Sequence, residues 1–244
     1  MRTLIIQQIK GWRPTELLWL AFSLCSITAL SIYWGESLLG IIAATAGVAY
    51  TVLAGKGKIS CFFFGLINTP LYAYIAFKSG YYGDFSLNVY YFAMMFPGIA
   101  AWAKNASTDA EEGVRRIKLT IKGRIYLGIG CLAGIIPLWA LLHFIGGARP
   151  LCDSVTNILS IAAMILTVRR AIEEWVLWII VNAVEVYMWY KAWMCGNGSI
   201  SILLMWLLFL ANGIYLLSLW IRIEKRNRSR IQGLAGAEYG AQNA

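Results

Sequence analysis

One segment of the sequence places aromatic, amide and acidic side chains at helical spacing within an otherwise apolar run. The run covers residues 174–193 and reads EWVLWIIVNAVEVYMWYKAW. In a helix of about 100° per residue, six of these side chains fall on one face: Trp175, Trp178, Asn182, Glu185, Trp189 and Trp193. Flat rings with a few polar groups suit a flat, polar or cationic small molecule. We therefore interpret this face as a candidate binding surface.

The length of the same segment brings Glu185 to membrane depth. Twenty residues of helix rise about 30 Å, which matches the hydrocarbon core of a bilayer. A charged side chain at that depth costs roughly 2.5–3.5 kcal/mol and normally faces a cavity or a partner. The alternative is a packed helix in which a neutral Glu185 hydrogen-bonds to its neighbour. We favour the binding surface, because tryptophan is bulky for helix packing, where small residues predominate.

Other apolar runs contribute further candidate lining residues. Asp153, Asn157 and Ser160 share one helical face at spacings of four and three. Asp153 fits a helix N-terminus equally well, because an acidic side chain there caps the backbone. For Asn68 and Asn182, a hydrogen bond between helices is as good an explanation as a ligand contact. The candidates in the remaining runs are Asn68, Tyr72, Asn88 and Asn212.

The composition is that of a multi-span membrane protein. The 244 residues are 59% hydrophobic and only 14% charged, with a mean hydropathy of +0.64, whereas a soluble domain carries about a quarter charged residues. The net charge of +9 lies in the breaks between apolar runs, which indicates topology rather than a nucleic-acid partner. A single histidine, His143, and the lack of CxxC spacing predict no metal or cofactor. A disulfide between Cys152 and Cys195 is left open by the sequence.

Eight apolar runs are long enough to cross a lipid bilayer as helices, and Gly, Pro or charged residues separate them. The runs cover residues 16–34, 37–54, 59–77, 84–103, 124–146, 152–170, 174–194 and 199–221. If both termini are cytoplasmic, only Lys78, Arg149 and Lys191, out of 21 lysines and arginines, face the outside. This strong positive-inside bias predicts an all-α membrane protein with eight transmembrane helices and both termini in the cytoplasm.

A weak internal repeat relates the second, third and fourth spans to the sixth, seventh and eighth. FFGLIN ends at Asn68, and WIIVN ends at Asn182, 114 residues later. We therefore predict two parallel three-helix bundles joined by a linker helix, a 3+1+3 core to which the first span is a peripheral addition. The predicted segments are 1–34 (N-terminal tail and peripheral helix), 35–103 (first bundle), 104–150 (cytoplasmic linker and linker helix), 151–221 (second bundle) and 222–244 (basic cytoplasmic tail).

Two polar segments lie outside the predicted bundles. Residues 104–123 hold acidic and basic side chains, and we expect them to form a solvated cytoplasmic connection. The sequence after Arg230 is rich in glycine and alanine and has no apolar period, so we expect it to be disordered. Within the linker helix, Gly130 and Gly134 form a GxxxG motif. This motif can pack a second helix closely, either in the same chain or in a homo-oligomer.

Three stretches of the sequence resemble the PnuC family of bacterial nicotinamide riboside transporters. They are Lys58-Ile59-Ser60 leading into FFFGLIN, the run CDSVTNILSIAAMILTVRR at 152–170, and EEWVLWIIVN at 173–182. The similarity covers the second to eighth spans. The resemblance implies a fold like that of the SWEET sugar transporters and a location in the bacterial inner membrane. It also implies facilitated diffusion of nicotinamide riboside, which phosphorylation then traps in the cytoplasm.

The candidate residues suit the substrate that this resemblance implies. Indole rings at Trp178 and Trp189 fit a pyridinium cation, and Asn and Glu side chains fit a carboxamide and ribose hydroxyls. The stripe has no Arg or Lys to meet a phosphate, which disfavours phosphorylated nucleotides. Alternatives are a carrier of thiamine or another vitamin, an intramembrane enzyme with Glu185 and Asp153 as acid and base, and a vitamin receptor. The different depths predicted for Glu185 and Asp153 argue against the enzyme, and the lack of a soluble output domain argues against the receptor.

Overall fold

The chain folds as a series of α-helices that follow the eight apolar runs. The computed structural model describes residues 8, 10–79, 82–106, 113–146, 149–196 and 200–242. Within these ranges the prediction of an all-α chain with eight long helices is confirmed. The helices are α1 (Pro14–Tyr33), α2 (Leu38–Gly55), α3 (Cys61–Lys78), α4 (Tyr82–Lys104), α5 (Ile121–Phe144), α6 (Pro150–Arg169), α7 (Glu173–Met194) and α8 (Ile200–Gln242).

Five of the helices are long and apolar enough to cross a membrane by composition alone: α1, α2, α5, α6 and the Leu203–Arg226 part of α8. The mean hydropathy of the other three helices, α3, α4 and α7, is lower, because asparagine, tyrosine or acidic side chains stand among their apolar residues. Such side chains are costly against lipid and are expected on the helices that line an interior site. The chain is therefore a multi-pass membrane protein.

Neighbouring helices in the sequence pack against one another, and two further contacts join the first half of the chain to the second. In the first half α2 packs on α3 and α3 on α4; in the second, α6 packs on α7 and α7 on α8. The two joining contacts are α4 with α6 and α2 with α8. The third helix of each half thus lies against the first helix of the other half.

Two buried tryptophans make equivalent bonds across these two joining contacts. The indole N–H of Trp102, on α4, donates to the carbonyl of Thr167 near the end of α6, at 2.8 Å. The indole N–H of Trp220, on α8, donates to the carbonyl of Gly55 at the end of α2. Both side chains are fully buried. In each half of the chain, the third helix therefore carries a tryptophan. Its indole N–H is bonded to the last turn of the first helix in the other half.

At one end of the bundle, the ends of α2 and α6 and the Trp220 turn of α8 lie around the linker. We call this the Lys56 end (residues 55–60, 105–106, 113–120 and 169–173). The linker is packed at Gly113 and Val114, but Arg115, Ile117 and Lys118 are exposed, in line with the expected solvated connection. Val114 is fully buried, and a Cβ on Gly113 would come within 2.4 Å of the Gly57 carbonyl. The Ile117 N–H donates to the Arg170 carbonyl, and the Ile172 N–H donates to the Ile117 carbonyl, both at 3.0 Å. These backbone bonds hold the linker against the α6–α7 turn; residues 107–112 lie outside the described part of the chain.

The opposite end of the bundle, which we call the Arg149 end, contains the α5–α6 connection and the end of α7. The Arg149 guanidinium donates to the carbonyl of Met188, on α7. This bond fixes the start of α6 against the last turns of α7. Cys152 and Cys195 both lie at this end, and both are free thiols.

Helix α1 lies on the outside of the bundle but bridges its two halves. The Trp19 indole N–H donates to the Asn212 side-chain oxygen on α8, at 3.0 Å. The hydroxyls of Thr28 and Thr45 join α1 to α2 at 3.1 Å. The helix that the sequence predicts as a peripheral addition therefore fastens α2 to α8.

The last helix continues well beyond the apolar run that predicts it. The run ends near residue 221, but α8 extends to Gln242, so the expectation of disorder after Arg230 is wrong. Glu, Lys, Arg, Gln and Ala predominate in this extension, and all five are good helix formers. No proline follows the apolar run to stop the helix.

The two glycines of the GxxxG motif face different surroundings. A Cβ on Gly134 would lie 3.1 Å from the Ile158 side chain, so this glycine lets α5 approach α6 closely. Nothing described lies within 4 Å of the corresponding position on Gly130. Within the chain, the motif thus serves the α5–α6 contact through Gly134 alone.

Candidate substrate-binding site

Helices α4 and α6 carry matching polar stripes. Both helices begin at the Arg149 end and pack side by side, and each presents the same sequence of spacings, four, three and four. Residues that share a level can therefore face one another across the contact. We call these eight residues the α4–α6 ladder: Asp84, Asn88, Tyr91 and Met95 on α4, and Asp153, Asn157, Ser160 and Met164 on α6.

Two pairs of neighbouring residues fit the register of the ladder. At the first level, Asp84 lies within electrostatic range of Asp153. At the third level, the Tyr91 hydroxyl is a polar neighbour of Ser160. Between them, the amides of Asn88 and Asn157 donate one turn back to the carbonyls of Asp84 and Asp153, each at 2.8 Å. The amide donors are thereby turned toward the backbone.

Asp153 lies both in the ladder and near the start of α6. The N-cap of α6 is Arg149, and no side chain caps the helix by a hydrogen bond. Asp153 nevertheless stands in the first turn of α6, where its charge suits the helix dipole, and Arg149 is its cationic neighbour. The dipole part of the alternative raised by the sequence therefore still applies to this side chain.

The polar stripe of α7 faces the ladder at two levels. The Trp178 ring lies 6.2 Å from the Tyr91 ring, centroid to centroid, at an interplanar angle of 59°. Glu185 lies within electrostatic range of Asp84 and Asp153, and Trp189 is its neighbour on the same helix face. The tryptophans at the two ends of the predicted stripe do not face the ladder as the central residues do. Trp175 is buried against Trp220, and Trp193 is 42% exposed.

The three buried asparagines of the prediction have different neighbours. Asn68, on α3, donates to the Ala43 carbonyl on α2 at 2.7 Å, and Asn212 accepts from Trp19. Asn182 is also buried, beside Gly213 of α8. Its amide has no hydrogen bond to any residue in the described ranges. Of the three, Asn182 is the one whose hydrogen-bonding capacity is left for a ligand.

This difference leads to a prediction for Asn68 and Asn212. Replacing either with alanine removes one partner of a bond between helices, so we expect a loss of stability of about 1–3 kcal/mol with an unchanged substrate affinity. Asn182→Ala is expected to behave oppositely, with affinity reduced and stability kept. Thermal unfolding in detergent and isothermal titration of the same preparations measure both quantities. A weakened affinity in Asn68→Ala, with normal stability, would contradict this assignment.

The first half of the chain contributes to the site through α4 rather than through α3. Tyr72, a candidate on α3, is 45% exposed, and Asn68 is bonded to α2. By contrast, Asn88 is buried in the ladder, and the candidate site gains Asp84, which the sequence did not single out as a candidate. The signal that could have found it is the shared four-three-four spacing on α4 and α6.

The electrostatics of the candidate site favour a cation. Asp84, Asp153 and Glu185 lie within electrostatic range of one another, and neither the ladder nor the α7 stripe contains Lys or Arg, while Arg149 adjoins Asp153 at the start of α6. Acidic groups close together attract a positive ligand, and the Trp178 and Tyr91 rings supply flat aromatic surface.

Comparison with known proteins identifies a family over most of the chain. A family model described as nicotinamide mononucleotide transporter matches residues 37–222. The nicotinamide riboside transporter PnuC of Neisseria mucosa is 34% identical over 222 residues, covering 89% of this chain and 84% of that protein. The protein of the same name from Haemophilus influenzae is 32% identical over 220 residues, covering 89% of this chain and 94% of the relative.

A solved structure agrees with the sequence comparison. The crystal structure of the vitamin B3 transporter PnuC superposes with a TM-score of 0.76 at 34% sequence identity, over 90% of this chain and 96% of that chain. Similarity in sequence and in fold therefore extends over almost the whole of both proteins. The chain belongs to the PnuC family, which is a family of transporters and not of enzymes.

Proposed function

We propose that this chain carries nicotinamide riboside across the bacterial inner membrane by facilitated diffusion. The observation that carries the proposal is the interior site between the α4–α6 ladder and the α7 stripe. Its three carboxylates and its aromatic rings come from three different helices. The relatives named nicotinamide riboside transporter cover this whole region.

The substrate has the groups that this site requires. Its pyridinium ring is flat and positively charged, and Trp178 and Tyr91 offer it ring faces or edges. Its carboxamide and ribose hydroxyls need donors and acceptors, which the amide of Asn182 and the carboxylate of Glu185 supply. Trp189 lies beside Glu185 and offers a further indole ring to the substrate.

The arrangement of helices supports alternating access. In the proposed 3+1+3 core, α2–α4 and α6–α8 form two parallel bundles, α5 links them, and α1 is added outside. The reciprocal bonds of Trp102 and Trp220 are what two bundles related by an approximate two-fold axis would make. With both termini cytoplasmic, the Lys56 end faces the cytoplasm and the Arg149 end faces the periplasm.

The proposal favours the riboside over its mononucleotide, which the name of the family model mentions. A phosphate adds two negative charges and needs cationic partners. The ladder and the α7 stripe contain carboxylates and no Lys or Arg, so they would repel it. Phosphorylation in the cytoplasm would then trap the transported riboside, because the product no longer fits the site.

Purified protein in liposomes tests this function. We expect labelled nicotinamide riboside to equilibrate across the membrane without a pH or sodium gradient, and to exchange with unlabelled riboside inside. An excess of the mononucleotide is expected to leave uptake unchanged, and protein-free liposomes provide the control. The alternative, a carrier of thiamine or another vitamin, predicts that thiamine is taken up and the riboside is not. Accumulation that requires an ion gradient would contradict facilitated diffusion.

A further inference from the structure

A second acidic residue lies on the ladder-facing side of α7, one turn closer to the Lys56 end than Trp178. Glu174 precedes Trp178 by four residues, so the two side chains share a helix face. It is 1% exposed, and its Oε2 atom has no hydrogen-bond partner among the residues that the structure describes. The indole N–H of Trp175, which is 3% exposed, also has none in these ranges.

The neighbouring acid, Glu173, shows what a structural role looks like at this position. Its carboxylate accepts from the Arg124 guanidinium at 2.8 and 3.0 Å and from the Leu119 N–H at 3.2 Å. These bonds tie the start of α7 to the start of α5. Glu174 has donors near it in Thr167 and Arg116, but its Oε2 atom has no hydrogen-bond partner in the described ranges.

The surroundings of Glu174 come from both halves of the bundle. Tyr50 of α2 and Cys61 of α3 are close enough to feel its charge. On the other side, its polar neighbours are Thr167 of α6 and Arg116 of the linker. The side chain therefore lies between the two halves, below the Trp178 level of the site.

A layer of aromatic and cationic groups separates this position from the Lys56 end. Trp175 packs edge-on against Trp220, with ring centroids 5.7 Å apart, and the Arg116 guanidinium lies 4.6 Å from the centroid of the Trp220 ring. Trp220 is itself fixed to the Gly55 carbonyl. A substrate moving from Trp178 toward the Lys56 end would meet Glu174 and Trp175 before this layer.

The chemistry of the two unpaired atoms is complementary to a hydroxyl group. A hydroxyl can donate to a carboxylate oxygen, and a hydroxyl oxygen can accept from an indole N–H. Leaving either atom without a partner in a buried site is costly. A riboside carries several hydroxyls that can meet these two atoms.

We propose that Glu174 and Trp175 form a second polar site, which binds a sugar hydroxyl of the substrate as it passes between Trp178 and the Lys56 end. This inference rests on the proposed riboside transport. We expect these two residues to affect the rate at which the substrate crosses the protein, and not the affinity with which the main site binds it.

The test uses Glu174→Gln and Trp175→Phe in the full-length protein. The first keeps the shape and removes the charge; the second keeps a ring against Trp220 and removes the N–H. We expect exchange of labelled nicotinamide riboside in liposomes to slow at least fivefold in each, while its Kd in detergent stays within twofold of the parent protein. Glu173→Gln is the matched control, with a lowered melting temperature and an unchanged exchange rate per folded molecule.

Three results would overturn this second site. Exchange at the parental rate in both variants would show that neither atom touches the substrate. A Kd that rises in step with the loss of exchange would place both residues in the main site. A lowered melting temperature with unchanged exchange would make Glu174 structural, like Glu173. Failure of the parent protein to exchange the riboside would instead refute the proposed function.

Discussion

Replacing Trp178 with leucine is expected to weaken the binding of nicotinamide riboside at least tenfold. Leucine retains apolar bulk and removes the π face. A desolvated cation–π contact contributes about 2 kcal/mol, and each 1.4 kcal/mol is a factor of ten in Kd. Trp178 is the aromatic residue of α7 that lies beside Tyr91 of the ladder. Its ring is therefore the best placed to cover one side of a bound pyridinium.

The measurement is isothermal titration of the purified variants in detergent. Trp178 also packs against two clusters of buried apolar residues, so the leucine variant loses some stability, and its folded fraction must be recorded by thermal unfolding. Trp178→Phe is the graded companion, since it retains a smaller π face and should bind between the parent and leucine. Trp139→Leu is the control, because Trp139 lies on α5, outside the site.

If the leucine variant binds the riboside within twofold of the parent, the Trp178 ring does not contact the bound substrate. The same would follow if Phe and Leu at this position weakened binding equally, because the π face would then have no effect of its own. A loss of affinity in Trp139→Leu as large as that in Trp178→Leu would point to a general loss of structure.

The helices could be predicted from the sequence because their signal is local. Runs of apolar residues broken by Gly, Pro or charge define α1 to α7 to within about one turn. The end of α8 could not be predicted in this way, because the apolar run and the helix end at different places. Hydropathy marks the membrane boundary, whereas helix propensity continues past it.

The candidate site could be proposed in part from the sequence. The face of α7 follows from the periodicity of one helix, so Trp178, Asn182 and Glu185 can be proposed as site residues from the sequence alone. Which helices oppose that face depends on contacts between distant segments, so the sequence alone does not show that Tyr91 of α4 lies beside Trp178. Asn68 and Asn182 end similar motifs, FFGLIN and WIIVN, yet only Asn68 has a hydrogen-bond partner among the described residues. Nothing local to either motif distinguishes them.

The lysines of the α2–α3 loop also show that local sequence patterns do not reveal contacts between distant segments. The sequence uses Lys56 and Lys58 as markers of the cytoplasmic side, but both are buried. The Lys58 ammonium donates to the Lys10 carbonyl at 2.8 Å, and Lys56 pairs with Glu16 at 2.6 Å. Their partners lie in the N-terminal segment and α1, which periodicity alone describes as peripheral.

The Glu16–Lys56 ion pair leads to the largest expected effect on stability. Both side chains are buried, at 6% and 3% exposure, and the Glu16 carboxylate also accepts from the Arg13 N–H at 2.9 Å. Glu16→Gln leaves the Lys56 ammonium buried without its counter-charge. Breaking a buried pair from one side costs about 3–5 kcal/mol, so we expect the free energy of unfolding to fall by that amount.

The double variant Glu16→Gln/Lys56→Met separates the pair from its surroundings. Removing both charges leaves no uncompensated ion, so we expect it to be more stable than Glu16→Gln alone, and the two single effects should not add. Arg124→Gln is the comparison on a pair with one exposed partner: Arg124 is 46% exposed and Glu173 is 10% exposed. Glu173 keeps its bond from the Leu119 N–H, so we expect a smaller cost than for Glu16→Gln. Equilibrium unfolding in mixed detergent measures the parent, Glu16→Gln, Lys56→Met, the double variant and Arg124→Gln.

This double-variant cycle also tests how α1 is held in the bundle. Glu16 lies at the start of α1 and Lys56 directly follows α2, while Trp19 ties α1 to α8. If the pair anchors α1, Glu16→Gln should expose the first turns of α1 to hydrogen exchange while α5 keeps its protection. Additive single effects, or protection of α1 equal to that of the parent, would show that apolar packing alone keeps this helix between α2 and α8.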